Sequence, residues 1–558
     1  MSWIDWLVLI VALLGIIAYG MFKSEHSKNL EGYFLGDRSM PWWIVLISIM
    51  GTQASAVTFL SAPGQAYTDG MRFVQYYFGL PLAMLVVSFV FVPIFSRLKV
   101  VTAYEYLEHR FNLNTRVFTA FLFLLSRGLS TGISIYAPAI IVSSILGWNI
   151  YITNVVIGGL LIIYTVTGGS KAVAVTQKVQ FAIIILGMVI AAYFAIHLIP
   201  GHSFRDAVDT GRLLGKMNVF TTGFTEEGFN WKDKYNIWSG VIGGFFLSLS
   251  YFGTDQSQVG RYLAAKNDKE SKTGLLLNGI VKVPMQYLIL LVGILVLAFY
   301  QNKPSPIFFD SKVVEKAQAT EYAPRLNTLE ANFNRLGQQQ LEWQHTNDNG
   351  INDSLIVRNY AAMESLRKEY KLVLKEALPM ADVNDTNYIF LYFITRHLPQ
   401  GMVGLLIAVI ILAAWGSIAA ALNSLSSTSL VDIHQKVFNK NLSDAQAYKL
   451  SWWYTFFWGV FCIVVAMFAT NMGSLIEAVN VLGSLFYGVI LGIFLVAFFI
   501  KYIKGNAVLI SAIISELLVI LVYKLDVISF LWLNVIGVIF LIMIALMVQL
   551  ILNAKNKI

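Results

Sequence analysis

Apolar residues run through this chain in blocks of roughly twenty, and polar residues collect in the gaps between them. A helix of that length crosses the ~30 Å hydrocarbon layer of a bilayer. About thirteen such spans are predicted: roughly 3–22, 42–67, 75–96, 117–146, 149–168, 178–199, 236–259, 273–300, 400–430, 451–470, 474–500, 507–523 and 528–552. The first block carries Asp5 and no basic stretch before it, so it reads as a retained helix rather than a leader peptide. The fold class expected is therefore an all-α integral membrane protein.

Two stretches break the pattern. Residues 200–235 form a polar loop, and residues 301–388 a larger insert rich in charged and amide side chains. Within the insert, Leu326, Leu329, Phe333 and Leu336 repeat at helical spacing, as do Tyr360, Met363, Leu366, Tyr370 and Leu374. Two helices in a hairpin are expected there. A structural cap is the simpler role for it. Gating, or binding a protein partner of unknown kind, is the alternative.

Charge fixes the orientation. The loops assigned to the inside hold Lys23, Lys28, Arg38, Arg97, Lys99, Arg110, Arg116, Lys171, Arg261, Lys266, Lys269, Lys272, Lys436, Lys440, Lys449, Lys501 and Lys504. The short loops assigned to the outside hold only Arg72 and Lys524. Basic residues favour the cytoplasmic side, so the N-terminus is expected outside and the C-terminus in the cytoplasm of a cell membrane. The net charge of +8 is accounted for by those inside loops and is not a nucleic-acid signature. Composition agrees: 57% of residues are hydrophobic and 13% charged, against about 25% charged in soluble domains. The single cysteine, Cys462, excludes an internal disulfide. The seven histidines (26, 109, 197, 202, 345, 397 and 434) are scattered, so neither a metal motif nor an enzyme's nucleophile and base is apparent.

Two spans contain helix breakers. The second holds Gly51-Thr-Gln-Ala-Ser55, then Thr58, Ser61 and Pro63-Gly64. The seventh runs from Gly243-Gly244 through Ser248, Ser250 and Tyr251 to Gly253-Thr254-Asp255-Gln256. A break frees backbone carbonyls, which a membrane tolerates only beside protein or a wet cavity, and transporters bind cations with them. Asp255 costs roughly 2.5–3.5 kcal/mol at the centre of an isolated helix, so it needs a cavity or a partner; Arg127 in the fourth span is a candidate. Small residues alone would signify only close helix packing. The ninth span adds a polar stripe of Ser417, Ser424 and Thr428, although each hydroxyl can bond back to its own helix. The broken spans open two blocks of five helices, the mark of an inverted repeat. The organisation expected is an extra helix and inside loop (1–41), a first five-helix repeat (42–199), an outside loop (200–235), a second repeat (236–300 and 389–500) split by the insert (301–388), and extra helices (501–558).

Several stretches resemble the sodium:solute symporter family from about residue 30 to 300 and again from 390 to 500. They are Glu31-Gly-Tyr-Phe-Leu-Gly-Asp-Arg-Ser-Met-Pro-Trp-Trp43, Gly168-Gly-Ser-Lys-Ala-Val-Ala-Val-Thr-Gln177, Arg261-Tyr-Leu-Ala-Ala-Lys266, and Ala421-Leu-Asn-Ser424 through Val431-Asp-Ile433. The resemblance implies a LeuT-like 5+5 inverted repeat and sodium-coupled uptake of a small organic solute by alternating access. Ser55-Ala-Val-Thr58 with Pro63, and Ile135-Tyr-Ala-Pro-Ala-Ile140, lean toward the branch carrying monocarboxylates, vitamins and iodide.

By the same resemblance, sodium binds at Gly51, Ala54, Ala413, Gly416 and Ser417. The carbonyls of the first three and the Ser417 hydroxyl are the ligands, and Gly416 stands where many members have serine. The positions of a second sodium site appear as Gln177, Ala419 and Ala420, which lack the ligand side chains, so one sodium per cycle is expected. Tyr251 matches the tyrosine that closes the cavity of sugar carriers. The other solute-facing positions are Gln53, Tyr77, Ser248 and Asn480, with Glu477 either among them or at a helix end. Tyr76 and Tyr77 also suit an interfacial belt. The rival readings are a sensor that keeps a transporter fold and a sodium-independent carrier.

Overall fold

The structure, a computed structural model, describes residues 1–23, 35, 38–199, 201, 203–347, 350–439, 441–469 and 472–555. Lys28, Lys440 and most of the 31–37 stretch lie outside the described residues. The chain begins with α1 (Trp3–Lys23), α2 (Trp42–Gln53) and α3 (Ala56–Asp69). There follow α4 (Met71–Leu98), a composite of tight, regular and wide turns, and α5 (Glu105–Arg110). Next come α6 (Leu113–Leu146), α7 (Ile150–His197) and α8 (Phe204–Leu213). A two-strand ribbon, β1 (Phe224–Thr225) with β2 (Gly228–Phe229), leads to α9 (Gly244–Thr254), α10 (Gln256–Leu263) and α11 (Asp268–Gln301). The insert holds α12 (Ser311–Gln318), α13 (Ala323–His345) and α14 (Asp353–Ala377). After it come α15 (Thr386–His397), α16 (Met402–Thr428), α17 (Asp444–Phe468), α18 (Leu475–Phe499), α19 (Gly505–Lys524) and α20 (Phe530–Lys555).

Among the described residues, nine helices are long and apolar enough to cross a membrane, and the bent pair α2–α3 makes a tenth. Shorter apolar helices cover Trp3–Ile16 and Ile150–Val166. Local sequence sets the ends of several. Asn112 caps α6 by accepting from the Thr115 amide (2.9 Å), and Gly147 ends it in a left-handed turn (φ 70°). Ser443 and Gln446 form a reciprocal capping box at the start of α17.

The spans expected at 149–168 and 178–199 differ from expectation in their connection, which is helical where a loop was predicted. They form two arms of one helix. The Tyr164 and Thr176 hydroxyls lie 2.9 Å apart, whereas twelve residues of straight helix would separate them by ~18 Å. The chain therefore doubles back between them. The first arm packs Gly158 on Ile463 of α17, and the second packs Gly187 on Leu406 and Val409 of α16.

Burial orders the bundle. In the most apolar stretch of Met402–Phe438, 94% of residues are buried, against 28% for Asp444–Phe468 and for Phe530–Ala554. So α16 is the central helix, while α17 and α20 present most of their surface outward. The Pro63-Gly64 pair lets α3 pass between two neighbours at backbone contact. A Cβ on Gly64 would lie 1.9 Å from the Thr386 carbonyl oxygen of α15, and one on Gly293 of α11 would lie 2.0 Å from the Pro63 carbonyl oxygen. Neither position accepts a side chain.

The insert has a small core of its own. Leu326, Leu329 and Phe333 of α13 are buried with Met363, Tyr370 and Leu374 of α14, over Ile307 and Phe308. Arg325 pairs with Glu376 (3.1 Å), and Asn359 donates to the Leu336 carbonyl (2.9 Å), so the two helices run antiparallel. The insert rests on the bundle through Arg367, whose guanidinium lies 5.9, 5.2 and 5.0 Å from the Tyr67, Phe309 and Phe333 rings. It also donates to the Pro306 carbonyl (2.9 Å) and the Ser305 hydroxyl (3.2 Å). Tyr67 belongs to α3, so this contact ties the insert to the broken helix.

Candidate functional site

Two helix breaks meet in the middle of the bundle. At the first, Ala54 (φ −78°, ψ 69°) and Ser55 (ψ 168°) leave the helical region, and α2 and α3 diverge by 61°. The Ser55 amide turns to the Gln53 carbonyl (2.9 Å) instead of continuing the helix. Among the described residues no donor reaches the Gly51 or Ala54 carbonyl oxygens. Unsatisfied carbonyls at mid-bundle are the kind of group that takes a cation.

At the second break Asp255 is extended (ψ 116°), separating α9 from α10. Its carboxylate accepts from the Ser257 amide (2.8 Å), capping α10, and from the Tyr487 hydroxyl (2.8 Å). Arg127 stands 3.9 Å away, which supplies the partner that a buried aspartate needs. One carboxylate thus joins α6, α9, α10 and α18.

A cavity lies between the breaks, walled by α2, α3, α4, α6, α9, α11, α16 and α18. Of the residues singled out in the sequence, Gln53, Tyr77, Ser248, Tyr251, Asn480 and Ser417 line it. Gln53 donates to Asn278 (3.3 Å), Asn480 accepts from the Tyr76 hydroxyl (2.9 Å), and Tyr251 accepts from Gln258 (2.7 Å). Gly51, Ala54, Ala413 and Gly416 sit behind this wall in α2, at the break and in α16. Glu477 stays outside it, paired with Lys234 near the start of α18. Tyr76 and Tyr77 are cavity residues rather than belt aromatics.

Behind the Ser417 wall, three helices meet on one amide. The buried Gln177 of α7 accepts from Ser48 of α2 (3.1 Å) and donates to the Gly416 carbonyl of α16 (3.1 Å). Gly51 abuts the same side chain, since a Cβ there would lie 3.2 Å from it. The departure at Gly416 has a steric counterpart: a Cβ would come within 2.6 Å of Gln180 Oε1. Gln180 fills the room that a serine side chain would take. The Ser417 hydroxyl donates to the Ala413 and Ala414 carbonyls (both 3.1 Å), which leaves its oxygen lone pairs free to accept a cation.

The sequence reading missed Lys282. It lies on α11, an uninterrupted helix, whereas attention went to the broken ones. The signal was present: Asn278, Lys282 and Gln286 recur every fourth residue in an otherwise apolar stretch. Lys282 lines the cavity, 2% exposed, with its ammonium 5.5 Å from the Tyr77 ring centre. Arg127 and Lys282 are the charged residues of the cavity wall.

A model of the sodium:solute symporter family matches residues 33–327 and 368–515. The sodium/sialic acid symporter SiaT of Proteus mirabilis is 25% identical over 549 residues, 96% of this chain and 92% of that protein. The sodium-coupled monocarboxylate transporter 1 of Xenopus laevis is 32% identical over 274 residues, 49% of this chain and 42% of that protein. The solved structure of a Na+-coupled sialic acid symporter, in a substrate-bound outward-open state, superposes with a TM-score of 0.75 at 23% identity, covering 99% of this chain and 98% of that one. It shows that the two share a fold.

Proposed function

Because this chain belongs to the sodium:solute symporter family, we propose that its cavity carries one small organic solute across the membrane, coupled to sodium by alternating access. The observation that carries this reading is the meeting of two broken helices, α2–α3 and α9–α10, on one polar cavity. Sodium is the coupling ion. It binds between α2 and α16, to the Gly51, Ala54 and Ala413 carbonyls and the Ser417 hydroxyl, beside Gly416. The free carbonyls of Gly51 and Ala54 support that ligand set. One sodium moves per cycle, because Gln177 commits its amide to Ser48 and Gly416, and Ala419 and Ala420 offer no side-chain oxygen. The solute contacts Gln53, Tyr77, Ser248, Tyr251 and Asn480.

Sodium bound at the first break holds α2 against α16 and so shapes the adjoining solute site. Each ligand then raises the other's affinity by the same factor. The chain crosses the membrane about thirteen times as two inverted five-helix repeats plus extra helices, with the N-terminus and the insert outside. The bias of basic residues toward one set of loops supports that orientation.

Uptake into proteoliposomes tests the reading. The panel begins with small organic acids, which the relatives' names suggest, and extends to sugars, amino acids and vitamins. Accumulation that needs an inward sodium gradient, with a sodium half-saturation raised about tenfold in Ser417→Ala by loss of one ligand oxygen, is the expected result. Equal uptake without sodium would replace the symporter with a sodium-independent carrier.

A further inference from the structure

Charge around the cavity does not balance. A buried cation is normally paired, because desolvation penalises an isolated charge. Arg116 follows that rule, with Asp432 at 2.7 Å and Glu108 at 2.6 Å. Arg127 follows it with Asp255 at 3.9 Å, and Arg367 with two hydrogen bonds and Glu364 at 3.5 Å. Lys282 does not. It is 2% exposed, and among the described residues no hydrogen bond or ion pair reaches its ammonium. Its one charge-related contact is with the face of Tyr77, which is itself a cavity residue.

The neighbours of Lys282 supply no counter-charge. Along α11, Asn278 and Gln286 are neutral amides. Across the cavity, Gln53, Ser248 and Asn480 are neutral, and Asp255 is engaged by Tyr487, Ser257 and Arg127. The cavity wall therefore holds one basic side chain that no acidic group answers, and a coupled sodium ion nearby would add positive charge.

We propose that the solute is an organic anion and that the Lys282 ammonium, backed by the Tyr77 ring, is the counter-charge for its carboxylate. This rests on the sodium-coupled reading above and goes beyond it by assigning the charge of the cargo. The ammonium and a carboxylate complete each other only when the site is filled, so the missing partner makes the empty site selective for anions. A consequence follows for energetics. One sodium and one carboxylate carry no net charge, so the complete cycle moves none and draws on the sodium gradient and not on the membrane potential.

The full chain in proteoliposomes decides this. The probes are labelled pyruvate, nicotinate and N-acetylneuraminate, each beside a neutral counterpart (pyruvamide, nicotinamide and the methyl ester of N-acetylneuraminate). The expected result is sodium-driven accumulation of an acid over its neutral partner, unchanged when valinomycin sets a potassium diffusion potential. Lys282→Gln should cut that uptake by about tenfold or more, the scale of one charge-assisted contact, and Lys282→Arg should restore part of it. Sodium-induced thermal stabilisation confirms that each variant is folded. Sodium-driven uptake of a neutral solute that survives Lys282→Gln would overturn the proposal. So would sodium binding that depends on Ser417 with no response to any acid, a result that leaves the transport reading standing. Absence of sodium binding altogether would remove the transport reading, and this proposal with it.

Discussion

Lys282 in the transmembrane cavity and Arg367 in the insert are both buried cations, 2% and 8% exposed. Their surroundings are opposite. Arg367 has three aromatic faces, a carbonyl and a hydroxyl, so its charge and its donors are met by the protein. Lys282 has one aromatic face and open cavity. The difference separates a cation that holds structure together from one kept ready for a ligand. Burial alone does not tell them apart; the state of the partner does.

Three substitutions press on that distinction. The largest effect belongs to Asp255→Ala, which turns Arg127 into a second unpaired cation and removes the cap of α10. Breaking one side of a buried pair costs about 3–5 kcal/mol, so the thermal midpoint in detergent should fall steeply and little folded protein should be recovered. Next is Arg367→Met. Losing its aromatic contacts and hydrogen bonds should destabilise the protein by about 2–3 kcal/mol, read as a lower thermal midpoint with the sodium half-saturation unchanged. Lys282→Met should move the midpoint the other way, upward by up to about 1 kcal/mol, because it removes a buried charge that nothing pairs, while acid uptake is lost. Equal signs for the last two would end the contrast between them.

The smallest effect is expected from Gly416→Ser. Its Cβ meets only the far end of the Gln180 side chain, which can swing aside, so the stability change should stay below about 1 kcal/mol. If the added hydroxyl reaches the ion, the sodium half-saturation falls. Gln180→Ala combined with it should enlarge that gain.

Much of this was legible in the chain. Hydropathy marked the long apolar helices, because lipid forces long apolar runs and loops escape it. The two breaks were legible because Gly51-Thr-Gln-Ala-Ser55 and Gly253-Thr-Asp255 put polar and flexible residues where lipid would forbid them. Even the Asp255–Arg127 pairing was a fair inference, since a charge in a membrane helix needs an answer. The rest depends on distance in space. Gln177 reads in sequence as a lost ligand, and only the fold shows its amide fastening Ser48 to Gly416. The Arg367 cage draws Tyr67, Phe309 and Phe333 from three separate segments. Lys282 was hidden by a different cause: a continuous helix draws no attention, although its four-residue polar rhythm was there to count.

The family match stops at residue 327 and resumes at 368, and most of the α13–α14 hairpin falls in that interval. Its core is built from its own two helices and the strand of chain at 307–308. The segment between His345 and Asp353 is therefore a practical grafting point. A rigid marker protein spliced there, continuous with both helices, would project from the bundle on a stiff stalk. For a 62.4 kDa membrane protein, such a stalk supplies the orientation landmark that electron cryomicroscopy of small membrane proteins lacks.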